Sequence, residues 1–159
     1  MSPIIIDHFS RRKEFIQMLA ERGAKLGAEI GTDHAQYAEQ ICKGIPGVRL
    51  TCVDPWVPYT EGIIEHTQEE MDQIYKEARD RLTKYDTKIM KFTSMEAVRW
   101  VPDNSLDFVF IDGNHEFSFV YEDIIEWTKK VKPGGILAGH DYKVDPVNKY
   151  GVIEAVQKY

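Results

Sequence analysis

Cysteine is scarce: Cys42 and Cys52 are the only two in 159 residues. That number makes neither a disulfide framework nor a metal knuckle, and each thiol falls in an apolar segment, where it reads as a small buried hydrophobe. No apolar run approaches the ~18 residues that mark a membrane span. The chain start offers only Ile4-Ile5-Ile6 before polar residues, which makes a secretory leader a poor reading. A cytoplasmic protein with no membrane partner is the expectation. Positive charge is also short, with 20 Lys and Arg against 26 Asp and Glu and a net charge of −6. The dense basic runs, Arg11-Arg12-Lys13 and Lys129-Lys130-Val131-Lys132, sit on expected helix faces and read as solvated surface, not as a nucleic-acid footprint. Internal repeats, low-complexity tracts and linkers are missing as well. One domain is expected, and 43% hydrophobic residues suffice for a full core.

What is there is an alternation. Residues 1–9 read as a lead-in, and Ser10–Arg22 as a helix stopped by Gly23. Lys25–Ile30 reads as the first strand, Val48–Val53 as the second, and Lys88–Phe92 as the third. Leu106–Ile111, LDFVFI, is a nearly continuous apolar run, as expected of a strand buried on both faces. Ile136–Gly139 is the fifth strand. Between them lie helical patterns. Asp33 with Gln36 would cap the first of these, and Thr67 with Glu70 the second. A short helix starts at Ser94. Another runs to about Lys132, where Pro133-Gly134-Gly135 stops it, and Val147–Tyr159 closes the chain. The pairs Glu77/Arg81 and Asp80/Lys84 have the spacing of helix-surface ion pairs. Strand and helix alternate five times, which predicts an α/β fold with a doubly wound, Rossmann-like parallel sheet.

Polar groups gather just past four of the apolar strands: Glu29 to Asp33, Asp54, Asp112 to His115, and His140-Asp141. In a parallel sheet these ends share one edge, where open α/β sheets bind ligands. The turn Gly31-Thr32-Asp33 puts a helix start there. Asp54 follows roughly 20 residues later, at the distance of an acid that accepts ribose hydroxyls. The turn is not G-x-G-x-x-G, because its last position is Ala35 and its first half lacks the glycine pair, so a nicotinamide cofactor is disfavoured.

Taken together, AEIGTDHAQYA, TCVDPW, LDFVFIDGNHEFSFVYEDI and VKPGGILAGHDY resemble the class I S-adenosylmethionine-dependent methyltransferases. The nearest branch is that of small O-methyltransferases that includes sugar- and macrolide-modifying enzymes. The resemblance spans residues 24 to 143 and implies a cofactor-binding core there, preceded by a helical lead-in (1–23) and followed by a C-terminal helix (144–159). It implies that Glu29, Gly31, Thr32 and Asp33 hold the methionine part of S-adenosylmethionine. Asp54 would take the ribose. Trp56 or Thr93, Ser94 and Met95 would border the adenine, and Asp112 would lie beside the cofactor. His34 adjoins the same pocket, while His8 and His66 read as surface or loop residues. In metal-dependent relatives, carboxylates at the ends of strands four and five bind a divalent cation. Asp112 and Asp141 match those positions, with His140 as their neighbour, and Mg²⁺ or Mn²⁺ would be the ion; a site without metal is the other reading.

His115, three residues after Asp112, is the candidate general base toward an acceptor hydroxyl. Loop Pro55–Glu65, with Trp56 and Tyr59, is a candidate lid over a small hydroxylated acceptor. The family sheet continues past strand five with a hairpin, and the sequence to Tyr159 stops before it, as a truncation or as a natural minimal form. Strand five is therefore expected to be an open edge, which invites a homodimer. Two other functions remain open at this point: a cofactor-binding module without turnover, and a metal-dependent hydrolase built on Asp112, His115, His140 and Asp141.

Overall fold

The computed structural model describes residues 4–6, 12–58, 60–61, 64–144 and 150–159. His8, Arg11, Tyr59 and residues 147–149 of the expected last helix lie outside them. The elements run β1 (Ile4–Ile6), α1 (Arg12–Glu21), β2 (Leu26–Ile30), α2 (Gln36–Gly44), β3 (Arg49–Val53), β4 (Thr60–Glu61), β5 (Ile64–Glu65), α3 (Gln68–Leu82), β6 (Thr87–Met90), α4 (Ser94–Ala97), β7 (Leu106–Ile111), α5 (Phe117–Thr128), β8 (Val131–Gly139) and α6 (Val152–Lys158). A single 3₁₀ turn, Val98–Trp100, follows α4.

Six strands form one sheet in the order β1-β8-β7-β2-β3-β6, and every neighbouring pair is parallel. The central strands alternate their side chains between two apolar layers. Leu50, Cys52, Phe108 and Phe110 pack against α1, α2 and α3 through Phe15, Ile41 and Ala78. Ala28, Ile30, Val109, Ile111 and Leu137 face the other way, onto α4, α5 and α6. A strand buried on both faces is apolar nearly throughout; in LDFVFI only Asp107 breaks the run, near the start of the strand, where it accepts the Lys25 and Leu26 amides. The two cysteines are free and buried, as small hydrophobes.

Several expectations are corrected. Residues 4–6 are not lead-in: they form β1, which pairs with Ile136–Ala138 of β8. The fifth expected strand is therefore not an open edge, and the reason for expecting a homodimer falls away. Pro133-Gly134-Gly135 does not stop a helix. α5 ends at Thr128, and those residues lie inside β8, whose register against β7 shifts between Leu106 and Phe108. Proline is tolerated there because the irregular ladder at that point needs no donor from it. Asp33 is not a helix cap; Ala35 holds that position in a left-handed conformation without a side-chain bond. The capping box at Thr67 and Glu70 does form, and a second one, Thr93 with Glu96, opens α4. The surface pairs on α3 do not form as spaced, since Arg81 and Lys84 both reach across to Glu39. Part of the expected lid is a small hairpin, β4 against β5.

Gly31 is a tight point of this framework where backbone meets backbone. Its φ of +85° is left-handed, and an added Cβ would lie 2.1 Å from the carbonyl oxygen of Asp112. Gly31→Ala should therefore strain the backbone and push β2 off β7, lowering the midpoint of a calorimetric melt by ~5–10 °C. A melt within a degree of the wild type would show that the two strand ends are not so closely apposed.

Candidate active site

The carboxyl ends of β2 and β3 are locked to each other through backbone. The amides of Gly31 and Thr32 both donate to the Val53 carbonyl, at 2.9 and 3.3 Å. The Asp33 amide donates to Asp54 Oδ2 at 3.0 Å, and the Trp56 amide to Asp54 Oδ1 at 2.8 Å. Asp54 is thus a clamp between two turns, with lone pairs left on each oxygen. Burial pushes its carboxyl above the usual range, against the pull of those two amides. The clamp holds strained backbone. Asp33, Ala35, Trp56 and, farther along the same edge, Asp141 all have positive φ, and strain of this kind persists only where surrounding contacts impose it.

Trp56 differs from its expected role. It is fully buried, its indole N–H donates to the Asp33 carbonyl at 3.1 Å, and its ring packs 4.8 Å from that of Tyr75. It has no surface to offer an adenine and acts as a bolt between the turn and α3. His34 is turned to Glu77 of α3, 3.0 Å away. Glu29, by contrast, is sealed beneath the turn. It is buried, and neither its Oε2 nor the hydroxyl of buried Thr32 makes a hydrogen bond of full geometry, although Thr32 is close enough to pull the Glu29 carboxyl down against its burial. Burial raises the Glu29 carboxyl well above the carboxylate range, and Asp112 and Asp54 push in the same direction. Two buried polar atoms without a full hydrogen bond at a ligand-binding edge mark a place for something polar.

The ends of β7 and β8 carry a second cluster. The Asp112 amide continues the sheet ladder to Ile30, and the His140 amide continues it to Ile111. Asp112 Oδ2 pairs with Arg12 Nη2 at 2.7 Å. His115 Nε2 lies 3.0 Å from Asp141 Oδ2 and 3.6 Å from Asp112 Oδ1. His140 Nδ1 lies 2.9 Å from the same Asp141 oxygen, and Lys143 Nζ sits 2.7 Å from Asp141 Oδ1. Burial alone would raise the Asp141 carboxyl; Lys143, His140 and His115 together hold it below the usual range. The His115 ring is stacked on Tyr150, with centroids 4.5 Å apart, and its carbonyl accepts the Gly151 amide at 2.8 Å. The start of α6 thus fixes His115 from behind. A pocket runs inward from this cluster between β7, β8, α5 and α6, floored by Val120, Ile124, Leu137 and Val152.

The three groups whose ligand atoms converge, within 4.8 Å of one another, are Asp112, His115 and Asp141. His115 joins the expected residues there, and His140 Nδ1 also lies 3.6 Å from Asp112 Oδ1 and 2.9 Å from Asp141 Oδ2. Arg12, Lys143 and Tyr150 were not anticipated at all. Arg12 read as solvated surface, because nothing local reveals a partner 100 residues away.

Thr93, Ser94 and Met95 open α4 at the β6 end of the edge. Ser94 is an internal joint. Its hydroxyl donates to Asp123 of α5 and accepts the Trp127 indole N–H at 2.7 Å. Asp123 is buried, and burial raises its carboxyl to about 7 despite the Ser94 bond.

Known proteins bear on this arrangement. A family model described as a methyltransferase domain matches residues 25–142. The chain belongs to that methyltransferase family. An uncharacterized protein of Sinorhizobium fredii, y4gI, is 25% identical over 125 residues, which is 77% of this chain but 13% of that protein. The chain therefore spans a small part of this curated relative. Among solved structures, an O-methyltransferase from Bacillus cereus in complex with SAH superposes with a TM-score of 0.67 at 15% identity, covering 95% of this chain and 67% of that one. The O-methyltransferase TomG from Streptomyces achromogenes, in complex with SAM, gives 0.64 at 14% identity, covering 92% and 64%. At such identities the likeness is one of fold, the Rossmann-like class I methyltransferase fold.

Within this methyltransferase domain, the matched span contains Glu29, Gly31, Asp54, Asp112, His115, His140 and Asp141. Arg12, Lys143 and Tyr150 lie outside it. The hydrolase alternative has no support in this family. No described helix is long and apolar enough to cross a membrane.

Asp123 gives the domain a pH signature. Its folded-state pKa is raised from an ordinary carboxyl value to about 7. The folded state therefore binds this proton more tightly, and stability falls as pH rises from about 4 to about 7. Asp123→Asn should remove up to about 4 kcal/mol of that dependence in urea denaturation across the interval. An unchanged pH profile in the variant would show that Asp123 is not the group responsible.

Proposed function

We propose that the domain is an S-adenosylmethionine-dependent O-methyltransferase acting on a small hydroxylated molecule. The observation that carries this reading is the pair of buried polar atoms, Glu29 Oε2 and Thr32 Oγ1, that make no hydrogen bond of full geometry beneath the Gly31 turn and beside Asp54. A carboxyl and a hydroxyl there suit the ammonium end of an amino-acid cofactor. Asp54, a few residues along the edge, keeps lone pairs for a ribose diol. A pyrophosphate would meet carboxylates and no cradle of lysine and glycine. Two neighbours of the same fold, from Bacillus cereus and Streptomyces achromogenes, were solved with SAH and SAM.

The cofactor supplies a methyl group on a positively charged sulfur, open to in-line displacement. The chain's residues supply position and proton transfer. In this reading Glu29, the Gly31 turn and Asp54 fix the two ends of the cofactor, and Asp112 borders it. Thr93 and Met95 frame the adenine end, with Ser94 held by Asp123 and Trp127. The acceptor hydroxyl enters beside His115 and gives its proton to the imidazole. The oxygen so activated would face the methyl group for that displacement, while His115 holds the proton. Asp141, 3.0 Å from His115 Nε2, stabilises the imidazolium so formed. Alignment supplies much of the rate, as in any displacement of this type.

A divalent cation is the finer variant of this reading. Asp112, His115 and Asp141 offer two oxygens and a nitrogen, a set that suits Mn²⁺ better than Mg²⁺. Both carboxylates already hold protein cations, so the fit is poor and no step is assigned to a metal.

Calorimetry with S-adenosylhomocysteine tests the reading. Wild-type protein should bind it, and Asp54→Asn should weaken binding by ~10–100-fold through loss of charge-assisted bonds. His115→Ala should leave that affinity within about twofold while lowering methyl transfer by ~10²–10⁴-fold. Absence of binding to the wild type would refute the cofactor, and full turnover by His115→Ala would refute the base.

A further inference from the structure

The carboxylates at the ends of β7 and β8 are the groups that would hold a cation, and each already has one. Arg12 Nη2 is 2.7 Å from Asp112 Oδ2, and Lys143 Nζ is 2.7 Å from Asp141 Oδ1. Each is held in place by its own surroundings, Arg12 partly covered and Lys143 at the surface. The Arg12 guanidinium lies 4.8 Å over the ring of Tyr37, whose hydroxyl donates to the Arg12 carbonyl at 3.3 Å. Tyr37 is itself buried and packed on Phe110. Lys143 is folded back by a tight turn: Asp141 has a φ of +55°, and the Lys143 amide donates to the Asp141 carbonyl at 2.7 Å. The two remaining oxygens, Asp112 Oδ1 and Asp141 Oδ2, face His115 Nε2 and His140 Nδ1 at distances between 2.9 and 3.6 Å.

We propose that Arg12 and Lys143 are built-in counter-cations that replace a divalent metal at the Asp112–Asp141 pair, making this a metal-independent, histidine-centred site. A divalent ion entering here would have to displace a guanidinium and an ammonium from short contacts, or sit beside them and be repelled. Held as they are, the two cations occupy one oxygen of each carboxylate and leave the other turned toward His115 and His140. Both cations lie outside the span shared with the methyltransferase family model, on α1 and on the segment after β8. The charge balance is therefore supplied by parts of this chain that the family model does not cover. The consequence for catalysis rests on the proposed methyl transfer; the cation site itself does not.

Manganese titration followed by electron paramagnetic resonance, without cofactor, tests the proposal. The wild type should show no saturable binding in the micromolar range. Arg12→Gln combined with Lys143→Gln strips both cations and should raise Mn²⁺ affinity by at least ~10-fold, since like-charge repulsion is removed and two carboxylates are freed. Adding Asp141→Asn to that background should abolish the gain. Lys143→Gln alone removes a half-exposed side chain and, with its fold checked by circular dichroism, should show part of the gain. Micromolar Mn²⁺ binding by the wild type, or no gain in folded Lys143→Gln and folded double variant, would overturn the proposal. Binding of S-adenosylhomocysteine, measured separately, distinguishes this failure from failure of the cofactor reading.

Discussion

Parallel strands deliver their carboxyl ends to one edge, and in this chain that edge receives four acids: Glu29, Asp54, Asp112 and Asp141. Like charges held within one cleft raise one another's pKa and repel unless each finds a partner. The structure resolves each acid differently. Glu29 is buried, and that burial raises its carboxyl above the carboxylate range. Asp54 takes two backbone N–H groups. Asp112 takes a guanidinium, and Asp141 an ammonium with two imidazoles nearby. The turns, the left-handed residues and the placement of α1 and α6 follow from these four solutions.

This edge also has a rigid side and an open side. On the β3 side, Trp56 and Ser94 tie the turns to α3 and α5, so the adenine end of the proposed cofactor would meet prearranged backbone. On the β8 side, His115 is stacked on Tyr150 at the mouth of an apolar pocket. A polar mouth above an apolar floor is suited to a small acceptor whose hydroxyl must face the base while its body is desolvated.

The strands β2, β3, β6 and β7 were legible in the sequence because short hydrophobic runs between helical patterns encode them directly, whereas the small hairpin of β4 and β5 lay in what read as a loop. The acids were legible for the same reason, since Asp54, Asp112 and Asp141 come just after their runs and Glu29 is the last but one residue of its own. β1 was missed: three isoleucines are too short a run to declare a strand until β8 is there to receive them. The end of α5 was misjudged because Pro133-Gly134-Gly135 is a stop signal in isolation, whereas pairing with β7 carries the strand through it. Trp56 looked like a ligand-facing aromatic because sequence does not reveal which side of a turn a ring will take. Arg12, Lys143, Tyr150 and Asp123 were invisible as site residues, because their meaning lies in partners that only the fold brings near.

The central claim is that the acidic edge receives an amino-acid nucleoside at its β2–β3 half and keeps protein cations, not a metal, at its β7–β8 half. A crystal structure of the protein soaked with S-adenosylhomocysteine and Mn²⁺, with anomalous data collected for manganese, tests both halves at once. The account predicts ligand density with the ribose against Asp54 and the amino group against Glu29, Arg12 and Lys143 still on their carboxylates, and no anomalous peak between Asp112 and Asp141. Ligand density elsewhere, or a manganese peak coordinated by Asp112, His115 and Asp141, would contradict it.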